Sequence, residues 1–256
     1  MIPKIIHQIF YPVYMDTIPL EWKENMQQWK AYHPDYTHIL WDYDTSLRFL
    51  KTYYPWFVDT WLEYKHPIQR CDAFRLFAVY HYGGIYIDLD ESPNQSFDNL
   101  LQYNVLLPQT TYFVDRVSNF LIGSVPRHPF LQKCITSLED YKHKYRYFGR
   151  HLHVMYSTGP MFITDMVKEY NDEVVVSDIF VLSAQVVHGK HENDTKHPSI
   201  LLTSKKGKTW NTWDTNLINF FIRWKKEIVI ALLCILIVIL YYYYNIRQCR
   251  MVCASS

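Results

Sequence analysis

Glycine is scarce in this chain, at 7 of 256 residues, and none falls in a G-x-x-x-x-G-K pattern. A loop that cradles phosphates on bare backbone amides is therefore excluded. The five cysteines, Cys71, Cys134, Cys234, Cys249 and Cys253, have neither zinc-ligand spacing nor the density of a disulfide framework. Charge of neither sign is in real surplus: 26 Lys and Arg stand against 25 Asp and Glu, which removes the basic footprint of a nucleic-acid binder. Repeats and low-complexity linkers are also missing. Aromatics are abundant instead, with 22 Tyr, 14 Phe and 8 Trp, a supply of large rigid side chains for packing. A chain of this length can bury a sizeable core.

The strongest chemical signal is Gly83-Gly84-Ile85-Tyr86-Ile87-Asp88-Leu89-Asp90. Residues i and i+2 of a strand project from one face, so a strand running to this point directs Asp88 and Asp90 together. Two adjacent carboxylates shielded from water repel each other and take up protons unless a cation joins them. Oxygen donors of this kind suit Mg2+ or Mn2+ carrying phosphate oxygens better than zinc. A solvated turn between Asp88 and Asn94 would give the same letters, so the preceding residues decide. From Pro67 to Tyr82, the residues Cys71, Phe74, Phe77 and Ala78 recur at helical spacing. Pro67 supplies the start of that helix and Gly83-Gly84 its stop. Asp72 and Arg75 lie one turn apart on it. Helix and strand together aim Asp72, Arg75, Asp88 and Asp90 at one cleft, which outweighs reading Asp72 and Arg75 as a surface ion pair.

The elements around this unit alternate. Residues 4–10 read as a strand, 19–32 as a helix opened by Pro19, and 37–41 as a second strand. Asp44 is the expected N-cap of a helix through Phe49 and Leu50, and the Pro67 helix and Ile85 strand come after it. This order predicts an open, Rossmann-like α/β domain with its site beyond the carboxyl ends of the strands.

The string Arg70-Cys71-Asp72-Ala73-Phe74-Arg75, together with the segment from Gly83 to Asp90, resembles the DxD glycosyltransferases that include fungal outer-chain mannosyltransferases and sugar-transferring bacterial toxins. Within that group the likeness is to the mannosyltransferases that act on inositol phosphoceramide. Further blocks continue it in order: Ile2-Pro3-Lys4-Ile5-Ile6-His7-Gln8, His33-Pro34-Asp35-Tyr36 with Ile39-Leu40-Trp41, Tyr54-Pro55-Trp56-Phe57, Val125-Pro126-Arg127-His128-Pro129-Phe130 and Ser157-Thr158-Gly159-Pro160. The resemblance implies a single GT-A type domain over residues 1–215. It implies retaining transfer of a hexose, mannose from GDP-mannose, onto a membrane lipid such as inositol phosphoceramide, with Mn2+ or Mg2+ as cofactor. Asp90 would bind the metal directly and Asp88 the metal or the ribose, while Asp72 and Arg75 would hold the donor sugar. Phe10 sits where relatives have an aromatic that stacks on the base, and His7 and Trp210 are further donor-binding candidates. Ser157 to Pro160 would shape the acceptor side or simply start a helix. Relatives carry a late His in a G-S-S-W-H segment; here Gly207-Lys208-Thr209-Trp210-Asn211 places Asn211 at that position, an oxygen ligand in its stead.

The last quarter of the chain differs in character. Ile228 to Leu240 is uninterruptedly apolar and is succeeded by four tyrosines, with Arg223, Lys225 and Lys226 before it and Arg247 and Arg250 after. As a helix, residues 228–244 would rise about 25 Å, near the lower limit for a bilayer span and suited to an internal membrane such as Golgi or ER. The expectation is a single transmembrane helix over 228–244, an interfacial segment over 216–227 and a short tail over 245–256. The side of the membrane stays open. No signal peptide precedes the first strand and basic residues are in excess before the run, which favours the cytosol; the resembled enzymes work in the Golgi lumen.

Other functions fit the same letters. The acceptor could be a glycan or protein, or the chain could be a catalytically weak, membrane-anchored sugar-nucleotide-binding protein. A glycoside hydrolase is disfavoured, because its two carboxylates flank the scissile bond instead of sitting two residues apart.

Overall fold

The chain enters the fold through β1 (Ile5–Ile9), buried from Ile6 onward, and returns beside it through α1 (Leu20–Tyr32) to β2 (Thr37–Trp41), parallel to β1. The computed structural model describes residues 1–12, 15–110, 115–188 and 200–204, with positions 215, 224, 229, 234–236 and 239. They fall in two units, Met1–Trp210 and Asn211–Ser256.

α2 (Tyr43–Tyr53) comes directly after β2 and is capped by Asp42, whose carboxylate accepts the Thr45 amide at 2.7 Å while the Thr45 hydroxyl accepts the Asp42 amide at 2.9 Å. The cap expected at Asp44 thus lies two residues earlier. Asp42 has the extended backbone that lets its side chain reach the third helical amide, whereas Asp44 is already inside the helix. A short 3-10 turn and α3 (Val58–Glu63) lead into α4 (Pro67–Tyr82), which starts at Pro67 and stops before Gly83. Gly83 and Gly84 have φ of 68° and 93°, and a Cβ on Gly84 would sit 2.6 Å from the Ile5 carbonyl oxygen. Glycine there lets β3 (Gly84–Ile87) close against β1.

Next come β4 (Glu91–Pro93), β5 (Val105–Pro108) and β6 (Leu121–Ser124). Three helices, α5 (Pro129–Tyr141), α6 (Arg150–Ser157) and α7 (Pro160–Glu173), precede β7 (Ile179–Leu182), α8 (Ala184–His188) and β8 (Leu202–Ser204). The main sheet runs β2-β1-β3-β6-β5-β7. Its β2-β1-β3 half is parallel, as the helix-strand alternation predicts, but β6 runs antiparallel to β3 and β5. β6 turns back against β5 and inserts between it and β3, so it runs antiparallel to both neighbours and the sheet is mixed. β4 pairs with the distant β8 in a separate antiparallel ribbon.

Side-chain alternation divides the core between the two sheet faces. Ile9, Tyr86, Val105, Leu107 and Ile122 join an aromatic layer containing Trp41, Phe49, Phe74 and Phe77. Ile6, Ile85, Ile87, Leu106 and Leu121 join Trp29, Tyr36 and Phe97 in a second cluster. α4 packs against α5, β1 and β6. It is buried well beyond the apolar stripe that the sequence spacing outlines, since Gln69, Asp72 and Arg75 are buried too.

The transmembrane helix expected over 228–244 is corrected: among the described residues no helix is long and apolar enough to cross a membrane. The physical reason is length, because the expected stretch over 228–244 would rise only about 25 Å as a helix, against a hydrocarbon core of about 30 Å. Most of 228–244 and all of 245–256 lie outside the described residues, as does 216–227 apart from Trp224.

Candidate active site

Asp72 and Arg75 form an ion pair inside the protein, with Arg75 Nη2 2.8 Å from Asp72 Oδ1 and both side chains almost wholly buried. The pair is engaged at every polar atom except Arg75 Nε, which is buried without a partner. Asp72 also accepts Asn119 Nδ2 at 3.1 Å and the Thr158 hydroxyl at 3.3 Å. Arg75 Nη1 donates to the Asn119 carbonyl at 2.6 Å, lies 3.5 Å from Asp88 Oδ1, and its guanidinium stacks 4.4 Å from the Tyr86 ring centroid. A buried charge survives only with such compensation, and here it comes from three separate stretches of chain.

Asp88 and Asp90 lie just past the end of β3, in a turn closed by the Glu91 amide on the Asp88 carbonyl. They converge through this turn and not through strand alternation. The turn is neither loose nor simply solvated. The Asp88 amide donates to the Phe120 carbonyl at 2.9 Å, extending the β3–β6 pairing by one rung. From α1, Asn25 Nδ2 donates to the Leu89 carbonyl and Trp29 Nε1 to the Glu91 carbonyl, each at 2.9 Å. Downstream, β8 holds β4 in place. The two carboxylates therefore project from a rigid frame.

Their electrostatics differ from those of ordinary surface acids. The Asp88 carboxylate, 32% exposed, accepts the Tyr86 hydroxyl; desolvation raises its pKa, with Arg75 opposing. Asp90 is pushed up to about 8, first by burial and then by the charges of Asp88 and Glu91. Asp72 is raised to about 6 by burial, with Arg75 pulling the other way. No side chain among the described residues donates to Asp90. Asp88 is partly answered by Arg75 while Asp90 has no such partner, and the hard oxygens the two aspartates offer side by side fit Mg2+ or Mn2+. Among the described residues no third His, Cys, Asp or Glu completes a metal-holding group, so the remaining positions suit water and diphosphate oxygens, the usual habit of these ions. Glu91 is turned away toward His188, at 2.9 Å.

The structure thus brings Asp72, Arg75, Asp88 and Asp90 together and sets His7 apart. His7 is fully buried, its Nε2 bonding the Gly83 carbonyl at 2.9 Å and its Nδ1 accepting Trp41 Nε1 at 3.2 Å. Phe10, half-buried, succeeds β1 as Asp88 succeeds β3; the strands are parallel, so both leave the same edge of the sheet. Trp210 and Asn211 lie outside the described residues. Ser157 and Thr158 end α6, and Gly159-Pro160 starts α7. Thr158 faces Asp72, and Ser157 accepts Gln69 Nε2 at 2.7 Å. Sequence reading missed Asn119, Tyr86, Asn25 and Trp29. Tyr86 was the most accessible of these, sitting two residues before Asp88 where a phenol can reach a carboxylate on the same face.

An α/β domain whose strand β3 ends in two adjacent aspartates, Asp88 held by Arg75 and Tyr86 and Asp90 without a donor from any described side chain, presents at that edge of the sheet a pair of carboxylates suited to a cation. Residues 19–107 match the family described as "glycosyltransferase sugar-binding region containing DXD motif". That region, which contains Asp72, Arg75, Asp88 and Asp90, is the DXD glycosyltransferase sugar-binding region by its match. The chain is 39% identical to the mannosyl phosphorylinositol ceramide synthase SUR1 of Saccharomyces cerevisiae over 85% of this chain and 54% of that protein. It is 35% identical to inositol phosphoceramide mannosyltransferase 2 of Schizosaccharomyces pombe over 90% of this chain and 64% of that protein. The chain thus spans between half and two thirds of the length of these relatives. Among solved structures, the PaToxG glycosyltransferase aligns with 66% of this chain and 69% of its own, at 16% identity and a TM-score of 0.47.

Proposed function

We propose that this protein transfers a hexose, mannose from GDP-mannose, to the headgroup of a sphingolipid such as inositol phosphoceramide, with Mn2+ or Mg2+ in the cleft. The observation that carries the reading is the Asp72–Arg75–Asp88 chain of contacts ending beside the uncompensated Asp90. The names of the relatives support the sugar and the acceptor class.

Asp88 and Asp90 would hold the metal, which supplies positive charge to the departing diphosphate. The protein's own contribution is positioning. Arg75 and Tyr86 both engage one oxygen of Asp88, which would leave the other for the metal. Asp72, locked by Asn119 and Thr158, keeps Arg75 from swinging away and, with it, lies beneath the donor sugar. Phe10, at the same sheet edge, would stack on the base. The bond from the anomeric carbon to the diphosphate oxygen breaks, a bond to the acceptor hydroxyl oxygen forms on the same face, and the acceptor proton leaves with the diphosphate.

Purified full-length protein, offered GDP-mannose or UDP-hexoses with Mn2+ and vesicles containing inositol phosphoceramide, should release GDP and yield a mannosylated lipid. Release of UDP alone, or transfer only to soluble glycans, would refute the donor or the acceptor separately. No turnover of any nucleotide sugar would leave a binding protein.

A further inference from the structure

The connection from α5 to α6 carries chemistry that the acidic cleft does not use. Between Lys142 and His153 the sequence holds four Lys or Arg, three His and no acidic residue. This stretch meets the α3–α4 connection so that Lys65, Lys142, His143, Arg146 and His153, with Glu63, line a cavity of about 330 Å³. Glu63 is the one acid on its wall, bonded to Lys142 at 2.5 Å. Lys144, nearby in sequence, is answered by Asp165 at 2.9 Å. Arg146 turns to the Tyr147 ring, 4.6 Å from its centroid, and no carboxylate among the described residues pairs with Arg146 or Lys65. His153 feels this surplus: burial first, then Lys65, His143 and Arg146, lower its pKa. Its Nε2 lies 3.4 Å from Gln69 Nε2 on α4, one turn before Asp72.

The same connection exposes aromatics. Tyr147 is 82% and Phe148 67% exposed, although aromatic side chains elsewhere in this unit are largely packed away. Cations around a cavity beside solvent-exposed rings are the combination that binds a bilayer surface, where the rings enter the interface and the cations meet lipid phosphates. The positive field calls for an anionic partner, and the rings call for an apolar one. A membrane of anionic phospholipid is the single surface that supplies both.

We infer that this face docks on an anionic membrane, with the basic cavity seating a lipid headgroup phosphate while Tyr147 and Phe148 enter the interface. The docking site is separate from the sugar-transfer cleft and depends on no step of that reaction.

Flotation of the full-length chain with phosphatidylcholine vesicles, with or without phosphatidylinositol, tests it. Wild-type protein should bind the phosphatidylinositol vesicles about tenfold or more better than the neutral ones, and added salt should erase the preference. Lys65→Gln with Arg146→Gln should abolish the preference, and Tyr147→Ser with Phe148→Ser should weaken binding to both vesicle types. Thermal melts and donor turnover in solution should be unchanged, because these four side chains are exposed; Arg146→Lys should retain the preference. Equal binding to the two vesicle types, or a preference that survives the charge substitutions, overturns the inference. Binding of soluble inositol phosphate at this cavity without vesicle binding also overturns it, assigning the cavity to a soluble phosphate ester. Since the readout is flotation, failure here is distinguishable from failure of the proposed transfer.

Discussion

Two polar centres lie on neighbouring strands of one sheet, and the protein treats them in opposite ways. His7 on β1 spends one ring nitrogen on Gly83 and the other on Trp41, and sits beside the rings of Trp41 and Tyr82. Burial lowers its pKa to about 4, so it is neutral and closed. Asp90, just beyond β3, is only partly buried and has no donor from another described side chain, and its pKa rises to about 8. A buried polar group whose hydrogen-bonding capacity is filled by its own protein is architecture. One held rigidly with capacity left over is poised for a ligand.

The largest expected effect falls on the open centre. Asp90→Asn keeps the volume and removes the charge, so metal-dependent donor turnover should drop by about 10²- to 10³-fold or more, while the melting temperature holds or rises. Near-wild-type turnover in the purified variant would end the assignment of Asp90. Next in size is Arg75→Met, which strands Asp72 as an unpaired buried charge and should cost about 3–5 kcal/mol in urea unfolding. Asp72→Asn with Arg75→Met should recover much of that loss, because the orphaned charge goes too. The closed centre should behave differently: His7→Ala leaves a cavity and two unmet partners and should cost about 2–4 kcal/mol, with turnover per folded molecule unchanged. A raised KM for the donor in that variant would instead make His7 a donor contact, as the family resemblance implies.

The smallest effect is on pH dependence, where the signs oppose. The folded pKa of His7 is below its ordinary 6.5, so its contribution to stability is present above that value and is lost as pH falls toward about 4. Asp72 is raised from 3.8 to about 6; the folded state takes up its proton first, so its contribution grows as pH falls through that window. Asp72→Asn removes the opposing trend, and melting temperature should then fall more steeply with acid than in the wild type. Identical slopes would show that Asp72 is not held neutral by the fold at mildly acid pH.

Local signals made half of this legible. Pro67 and Gly83 mark both ends of α4, and β2 is readable from Thr37 to Trp41, because proline, glycine and branched residues act within their own segment. The convergence of Asp72, Arg75, Asp88 and Asp90 was also visible, since helix and strand are joined by a two-glycine turn. The braces were not. Asn119 reaches Asp72 from 47 residues away and Thr158 from 86, and no pattern in a single sequence announces such a pairing. The antiparallel return of β6 was hidden for the same reason: a four-residue strand carries too little periodicity to reveal its direction.

The rung between the Asp88 amide and the Phe120 carbonyl makes the stretch from Arg75 to Asp88 a spacer of fixed length. Adding one residue within α4 after Arg75 would turn its guanidinium about 100° relative to β3, and adding one within β3 would exchange the two faces of that strand. Either would separate the guanidinium from both aspartates while leaving composition and hydrophobicity untouched. Scanning single-residue insertions for donor turnover in solution should therefore find a silent zone in the exposed connection after Lys142 and an intolerant one between Arg75 and Asp88, the boundary falling by geometry and not by residue type.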